Sequence, residues 1–264
     1  MPFVRIKGVL LHYRLSGRPD GPALAFANSL GTDLRIWDEV VARLGQHYRI
    51  VCYDKRGHGL SDAPLADYTL DDHLDDLAGL LDHVGFATTA LVGVSIGGLI
   101  AQGMALRTPA RLTALVLCDT APRVGDAAMW NGRIGAVLAG GPAAIADAVM
   151  DRWFTEQFRR EHPDDLAGWR NLFVRTDTAG YASTCATLRD TDLTARIGTI
   201  ATPTLVVAGE LDRATPVDMV RDCAARIPRS RFEVLPGAGH IPSIEQPAAL
   251  AALIDDFLKE VGGD

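Results

Sequence analysis

The sequence predicts an α/β fold in which a mostly parallel sheet of eight strands is flanked by helices. Short, nearly continuous apolar runs such as TALVGV and PTLVVAGE alternate with longer segments of helical periodicity. Strands that are buried on both faces of a parallel sheet have this continuous apolar character. The chain has 264 residues, of which 48% are hydrophobic, so it can bury one large core.

The first half of the chain alternates strands and helices. Two short strands around Gly8 are predicted by FVRIKGVLLHYRLSG, and the next two by ALAFAN and YRIVCYD, with the helix LRIWDEVVARL between them. An amphipathic helix is predicted by TLDDHLDDLAGLLDHVG, with a capping box of Thr69 and Asp72 and an end at Gly85. The strand TALVGV, the helix IGGLIAQGMALRTP and the strand LTALVLCDT follow.

The alternation stops after the sixth strand. Residues 122–192 contain helix-like segments such as AAIADAVMDRWF and DLAGWRNLFVRT, but little convincing strand. Two further strands, PTLVVAGE and SRFEVLPG, then alternate with the helices VDMVRDCAARI and AALAALIDDFLKEV. We therefore predict one core of residues 1–121 and 193–264, with a helical lid of residues 122–192 inserted after strand 6.

The composition restricts the partners and the compartment. The net charge of -7 gives a mildly acidic surface, which argues against nucleic acid or an anionic membrane as a general partner. The four cysteines are far apart and form no C-x-x-C pair. We therefore expect them to be small buried hydrophobic residues and not disulfides or metal ligands. No run has transmembrane length, and the N-terminus lacks a signal-peptide pattern, so we expect a cytoplasmic protein. The sequence leaves a homo-oligomer open.

Ser95 is the candidate nucleophile. It lies in Gly93-Val94-Ser95-Ile96-Gly97, a G-x-S-x-G motif between a predicted strand and a predicted helix. The motif forms a turn so tight that flanking side chains would clash, and it raises the hydroxyl above the carboxyl edge of the sheet. A Gly-rich turn can hold a serine by chance, but the position between a strand and a helix favours the catalytic interpretation.

A serine hydroxyl needs a base, and His240 is the candidate. It lies in Pro-Gly-Ala-Gly-His, directly after the predicted strand FEVLPG. The other six histidines lie in turns, strand edges or polar helical stretches, where we expect structural roles: His12, His47, His58, His73, His83 and His162.

The histidine in turn needs a carboxylate that orients it and stabilises the imidazolium. Asp212 is favoured, because it lies in the loop after the strand LVVAGE; Glu210 and Asp119 are weaker candidates that also follow strands. The chain order Ser95, Asp212, His240 is the order expected of an α/β-hydrolase triad.

The oxyanion of acyl transfer needs preorganised N–H donors. The backbone N–H of Ile96, directly after the nucleophile, is one candidate. The second should come from the loop Asn28-Ser29-Leu30-Gly31-Thr32, where the N–H of Leu30 is favoured.

Over essentially its whole length the chain resembles the α/β-hydrolase superfamily, and more narrowly the 3-oxoadipate enol-lactonases. The resemblance rests on FANSLGTD, YDKRGHGLSD, GVSIGGLIAQ, MWNGRI, ADAVMDRWFT and GYASTCATLRDTDL. It implies hydrolysis of 3-oxoadipate enol-lactone to 3-oxoadipate in the β-ketoadipate pathway of aromatic catabolism. The partner would be this small lactone, which carries a carboxylate, and the reaction needs no metal and no other cofactor.

Trp130 and Arg133 are candidate substrate-binding residues. They are three positions apart, so on a helix they share a face. Arg can bind a carboxylate through two hydrogen bonds, and Trp can form the wall of a pocket. By themselves these residues favour a surface arginine and a tryptophan buried in the lid; the resemblance shifts the interpretation to substrate binding. For Trp153 and Phe154 we expect lid packing, and a place in the pocket wall is the alternative.

Two other interpretations stay open. One is another serine hydrolase on the same scaffold: a carboxylesterase, a C–C bond hydrolase or a cofactor-free haloperoxidase-like enzyme. The other is a ligand receptor that keeps a triad without turnover. Dehalogenases and epoxide hydrolases are disfavoured because their nucleophile is an aspartate, and position 95 is serine.

Overall fold

A computed structural model describes residues 2–263. Its strands are β1 (Phe3–Ile6), β2 (Val9–Gly17), β3 (Ala23–Ala27), β4 (Arg49–Tyr53), β5 (Thr89–Val94), β6 (Leu112–Cys118), β7 (Thr204–Gly209) and β8 (Ser230–Leu235). They form one sheet in the order β1-β2-β4-β3-β5-β6-β7-β8. β2 pairs antiparallel with both of its neighbours, and all other pairs are parallel. The predicted eight-stranded, mostly parallel sheet is confirmed.

Helices lie between and after these strands in the chain. They are α1 (Asp38–Leu44), α2 (Leu70–His83), α3 (Ile96–Arg107), α4 (Ala127–Gly140), α5 (Ala146–Trp153), α6 (Glu156–Glu161), α7 (Pro163–Val174), α8 (Thr178–Asp190), α9 (Val217–Arg226), α10 (Pro242–Glu245) and α11 (Pro247–Gly262). Every residue of β5 and β7 is buried, which requires cover on both faces. α1 packs against α11, and α2 packs against α3. None of the helices formed by residues 2–263 is both long enough and apolar enough to cross a membrane.

Local signals in the sequence agree with the structure, with one difference. The capping box of Thr69 and Asp72 begins α2, and Gly85 has the positive φ of 74° expected after a helix. All four cysteines are buried and unpaired. The predicted helix LRIWDEVVARL instead begins as a 3-10 turn, Leu34–Trp37, and α1 starts only at Asp38. The Asp33 side chain accepts a hydrogen bond from the Arg35 N–H and so caps this tighter turn.

Five helices, α4 to α8, lie between β6 and β7, where the sequence predicts an insertion. α4 packs against α8, and α5 packs against α7. That residues 122–192 act as a lid on a core of residues 1–121 and 193–264 stays a prediction.

Candidate active site

Ser95 lies on a sharply strained turn between β5 and α3. Its backbone has φ 58° and ψ -120°, a conformation that non-glycine residues adopt only when the surroundings hold it there. Its N–H donates to the Cys118 carbonyl at 3.0 Å, and the Thr120 hydroxyl donates to its carbonyl at 2.7 Å. A Cβ on Gly93 would lie 2.2 Å from the Gly97 carbonyl oxygen. The backbones of Gly93 and Gly97 therefore lie so close together that only residues without a Cβ fit at these positions.

Gly97 provides a stability test of this turn. A Cβ on Gly97 would lie 2.0 Å from the Ala27 carbonyl oxygen, so β3 or α3 must shift. We expect Gly97→Ala to lower the free energy of unfolding by about 1–3 kcal/mol, as overpacking does. Gly168→Ala is the matched control, because this helical glycine has nothing within 4 Å of its Cβ position. There the better helix propensity of Ala should stabilise the protein by up to about 1 kcal/mol. Urea denaturation measures both, and equal effects would contradict the expectation.

His240 and Asp212 are hydrogen-bonded to each other. The His240 Nδ1 lies 2.9 Å from the Asp212 Oδ2, and both residues are buried. The Asp212 Oδ1 accepts from the N–H groups of Ala214 and Thr215, while the Thr215 hydroxyl donates to Oδ2 at 2.5 Å. This pairing assigns the proton to Nδ1 and leaves Nε2 as the basic nitrogen.

The environment keeps Asp212 ionised. Burial acts to raise the pKa of this carboxyl, but the neighbouring His240 and the hydrogen bonds outweigh burial, so the pKa lies below its usual value. A carboxylate that is charged at neutral pH can stabilise an imidazolium beside it.

The two other candidate acids do not hydrogen-bond to the His240 ring within the described residues. The exposed Glu210 accepts a hydrogen bond from the Gly237 N–H at 2.9 Å. Asp119 is fully buried and accepts from the Gly209 N–H at 2.7 Å. Burial, and then the nearby Asp212 charge, raise the pKa of Asp119 well above its usual value. Within residues 2–263, only Asp212 among the three candidates hydrogen-bonds to the His240 ring.

The loop that carries His240 is tied to the helices between β6 and β7. The His240 N–H donates to the Trp153 carbonyl at 2.9 Å. The Glu245 carboxylate accepts from the Gly239 N–H and from both the N–H and the hydroxyl of Thr155. These bonds join the end of α5 to the histidine loop and hold the imidazole in place.

The two N–H groups predicted to form the oxyanion hole are free to bind a ligand. Within residues 2–263, neither the Leu30 N–H nor the Ile96 N–H donates a hydrogen bond. Ile96 is the first residue of α3, so its N–H has no acceptor within the helix. Leu30 lies in the loop after β3 and lines the same cavity as Ser95. Two backbone donors are thus left for a ligand.

A cavity of about 140 Å³ joins these parts. Its lining includes Ser29, Leu30, Ser95, Trp130, Arg133, Val149, Arg152, Trp153, Tyr181 and His240. Within the described residues no hydrogen bond connects the Ser95 hydroxyl to the His240 ring, although both line this space. Five of the residues predicted for the site therefore line this cavity: Leu30, Ser95, Trp130, Arg133 and His240. Asp212 and Ile96 are buried behind its surface.

Trp130 and Arg133 share a face of α4, as their spacing predicts. The Arg133 guanidinium lies over the Trp130 ring at 5.2 Å from the centroid, a cation–π contact that orients it. The Trp130 Nε1 donates to the Val124 carbonyl at 2.6 Å. Both residues line the cavity. That they bind substrate stays a prediction.

Sequence reasoning missed Arg152. It lies in α5, directly before Trp153, and lines the cavity together with Arg133. Burial and then the Arg133 charge lower its pKa below the usual value. Within residues 2–263 no carboxylate forms an ion pair with either arginine. No sequence signal distinguishes Arg152 from the other lid arginines, because only packing turns it inward. Trp153, expected to pack within the lid, also forms part of the wall.

Comparison with known proteins agrees with this architecture. A family model described as alpha/beta hydrolase fold matches residues 22–247. The 3-oxoadipate enol-lactonase 2 of Acinetobacter baylyi is 35% identical over 251 residues, covering 95% of this chain and 94% of that relative. The crystal structure of the enol-lactonase from Burkholderia xenovorans LB400 has a TM-score of 0.95 at 38% identity, covering 98% of this chain and 100% of that one.

An esterase is also similar in structure. The thermophilic esterase from Thermogutta terrifontis, solved with malate bound, has a TM-score of 0.94 at 29% identity, and the match covers 99% of each chain. The family model and the full-length relatives agree on one assignment. The chain belongs to the α/β-hydrolase family, and it is a hydrolase.

Proposed function

We propose that the protein hydrolyses 3-oxoadipate enol-lactone to 3-oxoadipate, a step of the β-ketoadipate pathway of aromatic catabolism, and does so in the cytoplasm. One observation carries the proposal. Two arginines that form no ion pair with a carboxylate of residues 2–263 line the same small cavity as Ser95 and His240. A substrate with an acyl group and a separate carboxylate fits such a cavity, and this lactone has both. The similarity to a 3-oxoadipate enol-lactonase of Acinetobacter baylyi and to the enol-lactonase of Burkholderia xenovorans supports the choice.

Acylation of Ser95 is the first half-reaction that we propose. The His240 Nε2 takes the proton of Ser95 as the Oγ attacks the lactone carbonyl. The Leu30 and Ile96 N–H groups stabilise the resulting oxyanion. Asp212 holds the ring tautomer and stabilises the imidazolium. The tetrahedral intermediate then collapses, the bond from the acyl carbon to the ring oxygen breaks, and the His240 imidazolium protonates that oxygen, which stays attached to the acyl chain. The resulting enol tautomerises to the ketone.

Deacylation uses the same groups in a second half-reaction. His240, neutral again, takes a proton from water, and the resulting hydroxide attacks the acyl carbon. The second tetrahedral intermediate expels the Ser95 alkoxide, which His240 protonates. The product is 3-oxoadipate, with two carboxylates and a ketone. His240 makes the proton transfers at Ser95, at the leaving oxygen and at the attacking water.

The carboxylate of the substrate would be bound by Arg133 and Arg152. Guanidinium groups bind carboxylates through paired, charge-assisted hydrogen bonds. Trp130 holds Arg133 from one side. The two positive charges lie near each other, and within residues 2–263 no carboxylate lies within ion-pair distance of either, so a bound carboxylate would relieve their repulsion. All three residues come from α4 and α5, which supports the proposal that residues 122–192 form a lid that selects the substrate.

Arginine variants test this carboxylate site. We expect Arg133→Met and Arg152→Met each to raise KM for the enol-lactone by about 10- to 100-fold, because a charged hydrogen bond contributes about 1.5–3 kcal/mol. Turnover of p-nitrophenyl acetate, which has no carboxylate, should change little. Arg170→Met is the matched control, because this lid arginine pairs with Asp147 and does not line the cavity. Unchanged KM in both variants would exclude the carboxylate site.

The substrate itself is tested by comparing two reactions. The enol-lactone is generated in situ and its loss is followed beside hydrolysis of p-nitrophenyl acetate. Fast loss of the lactone with slow ester hydrolysis supports the proposal. Fast ester hydrolysis with slow loss of the lactone favours the second candidate function, that of a carboxylesterase. The structural similarity to the Thermogutta terrifontis esterase supports this candidate. Tight binding of small acids without any turnover would favour a receptor.

A further inference from the structure

Lys55 is a buried lysine whose side chain contacts a loop of the candidate active site. It lies just after β4 and is 1% exposed. Its Nζ donates to the Ser29 carbonyl at 2.5 Å, and the Thr32 carbonyl lies 3.5 Å away. Within residues 2–263 no carboxylate lies within ion-pair distance of it. Burial lowers its pKa to about 7, while the charges of Asp54 and Asp33 act in the opposite direction.

A buried lysine without an ion-pair partner is costly to the folded state. Removing an ammonium from water disfavours its charged form, and the hydrogen bonds to two neutral carbonyl oxygens, one of them long, compensate only partly. Strongly perturbed groups of this kind cluster at functional sites. The position of Lys55 relative to the reaction therefore needs an explanation other than stability.

The Ser29 carbonyl that Lys55 contacts belongs to the same peptide bond as the Leu30 N–H. In a trans peptide the C=O and N–H bonds point in opposite directions. The Ser29 oxygen also accepts from the Thr32 N–H at 3.3 Å and from the Thr32 hydroxyl at 2.8 Å. Three donors thus hold the carbonyl on the buried side, and the Leu30 N–H is directed away from them. Ser29 and Leu30 line the cavity of Ser95.

The next N–H along the chain is already engaged. The Gly31 N–H donates to the His58 Nε2 at 2.9 Å, and the His58 Nδ1 lies 3.2 Å from the Arg56 carbonyl oxygen. Burial, and then the charge of Lys55, lower the pKa of His58 well below its usual value, so the ring is neutral and can accept. His58 therefore secures the loop, and Leu30 provides the N–H that stays free for a ligand.

We propose that Lys55 is a positioning residue that strengthens the oxyanion hole by polarising the Ser29–Leu30 peptide bond. A cation on a carbonyl oxygen draws electron density toward that oxygen and makes the N–H of the same peptide more positive. Hydrogen bonds polarise one another in this way along a chain, and more so where the dielectric constant is low. Charge-assisted bonds are also about twice as strong as neutral ones. The inference rests on the proposed serine hydrolase function.

Lys55→Met tests the proposal. Methionine preserves much of the volume and removes the charge and the donor. Thr32→Val is the matched variant, because it removes a neutral donor from the same carbonyl. Both are assayed with p-nitrophenyl acetate and with the enol-lactone at a pH below the Lys55 pKa of about 7. A trifluoromethyl ketone serves as the probe, because it forms a hemiketal with the serine whose oxygen occupies the oxyanion hole. The pKa of that hemiketal is read from its ¹⁹F shift.

We expect Lys55→Met to lower kcat by about 10-fold with little change in KM, less than the roughly 100- to 1,000-fold loss of a whole donor. The hemiketal pKa should rise by about one unit, which corresponds to the same tenfold effect. Thr32→Val should cost about threefold or less, because it removes only a neutral bond.

Several outcomes would overturn the proposal. A Lys55→Met protein with a lower melting temperature but wild-type kcat and hemiketal pKa would show a structural role only. If that variant does not fold, Lys55→Gln, which retains a neutral donor, is titrated in the same way, and an unchanged hemiketal pKa has the same meaning. A wild type that neither hydrolyses the two substrates nor forms the hemiketal would refute the proposed function, and this inference with it. Normal wild-type turnover with unaffected variants would refute only the role of Lys55.

Discussion

Ser95→Ala should abolish turnover of both the enol-lactone and a simple ester. Without the hydroxyl no acyl-enzyme can form, and loss of a serine nucleophile costs about 10⁶-fold in kcat where such enzymes have been dissected. The rest of the site should stay in place, because the N–H and carbonyl of residue 95 keep their bonds to Cys118 and Thr120. Steady-state kinetics measure the loss.

The control is the fold of the same variant. Alanine has the same difficulty as serine at φ 58°, so the free energy of unfolding should change little. The variant should still bind 3-oxoadipate, since Arg133 and Arg152 are untouched. A folded Ser95→Ala protein that retained the turnover of the wild type would rule out Ser95 as the nucleophile.

Asp212→Asn should lower kcat by about 10⁴-fold, the cost reported for the same change in a serine protease triad. The asparagine would stabilise the wrong tautomer of His240 and could not stabilise the imidazolium. The pKa of Asp212 lies below its usual value, so the wild-type residue is charged across the neutral range. Activity that depends on this charge should therefore be lost only as the pH falls through that lowered pKa. The effect should appear in kcat for lactone and ester alike.

The other two candidate acids are the controls for this experiment. Glu210→Gln should retain full activity, because its carboxylate binds the Gly237 N–H at the surface. Asp119→Asn should lose less than about tenfold, since the asparagine oxygen can still accept from Gly209 and a neutral amide suits a buried site. Full activity of Asp212→Asn together with an inactive Asp119→Asn would show that the acid of the triad is Asp119, directly after β6.

Local chemistry made much of the fold predictable. Continuous apolar runs required strands covered on both faces, and β5 and β7 are buried throughout. The capping box of Thr69 and Asp72 set the start of α2. The glycines around Ser95 predicted the tight turn, because only residues without a Cβ fit there. The start of α1 was missed because a side-chain cap in the neighbouring loop favoured a 3-10 turn.

The sequence by itself determined the order of strands and helices, the turn at Ser95 and the set of residues from which a triad could be chosen. These depend on interactions between near neighbours in the chain, which leave a readable pattern. Only the tertiary structure placed Asp212 against His240, turned Arg152 into the cavity and set Lys55 on the Ser29 carbonyl. Such contacts join residues tens of positions apart, and the packing of whole elements decides them. The position of Asp212 in the loop after a strand favoured it, but only the fold shows which neighbours each carboxylate and guanidinium has.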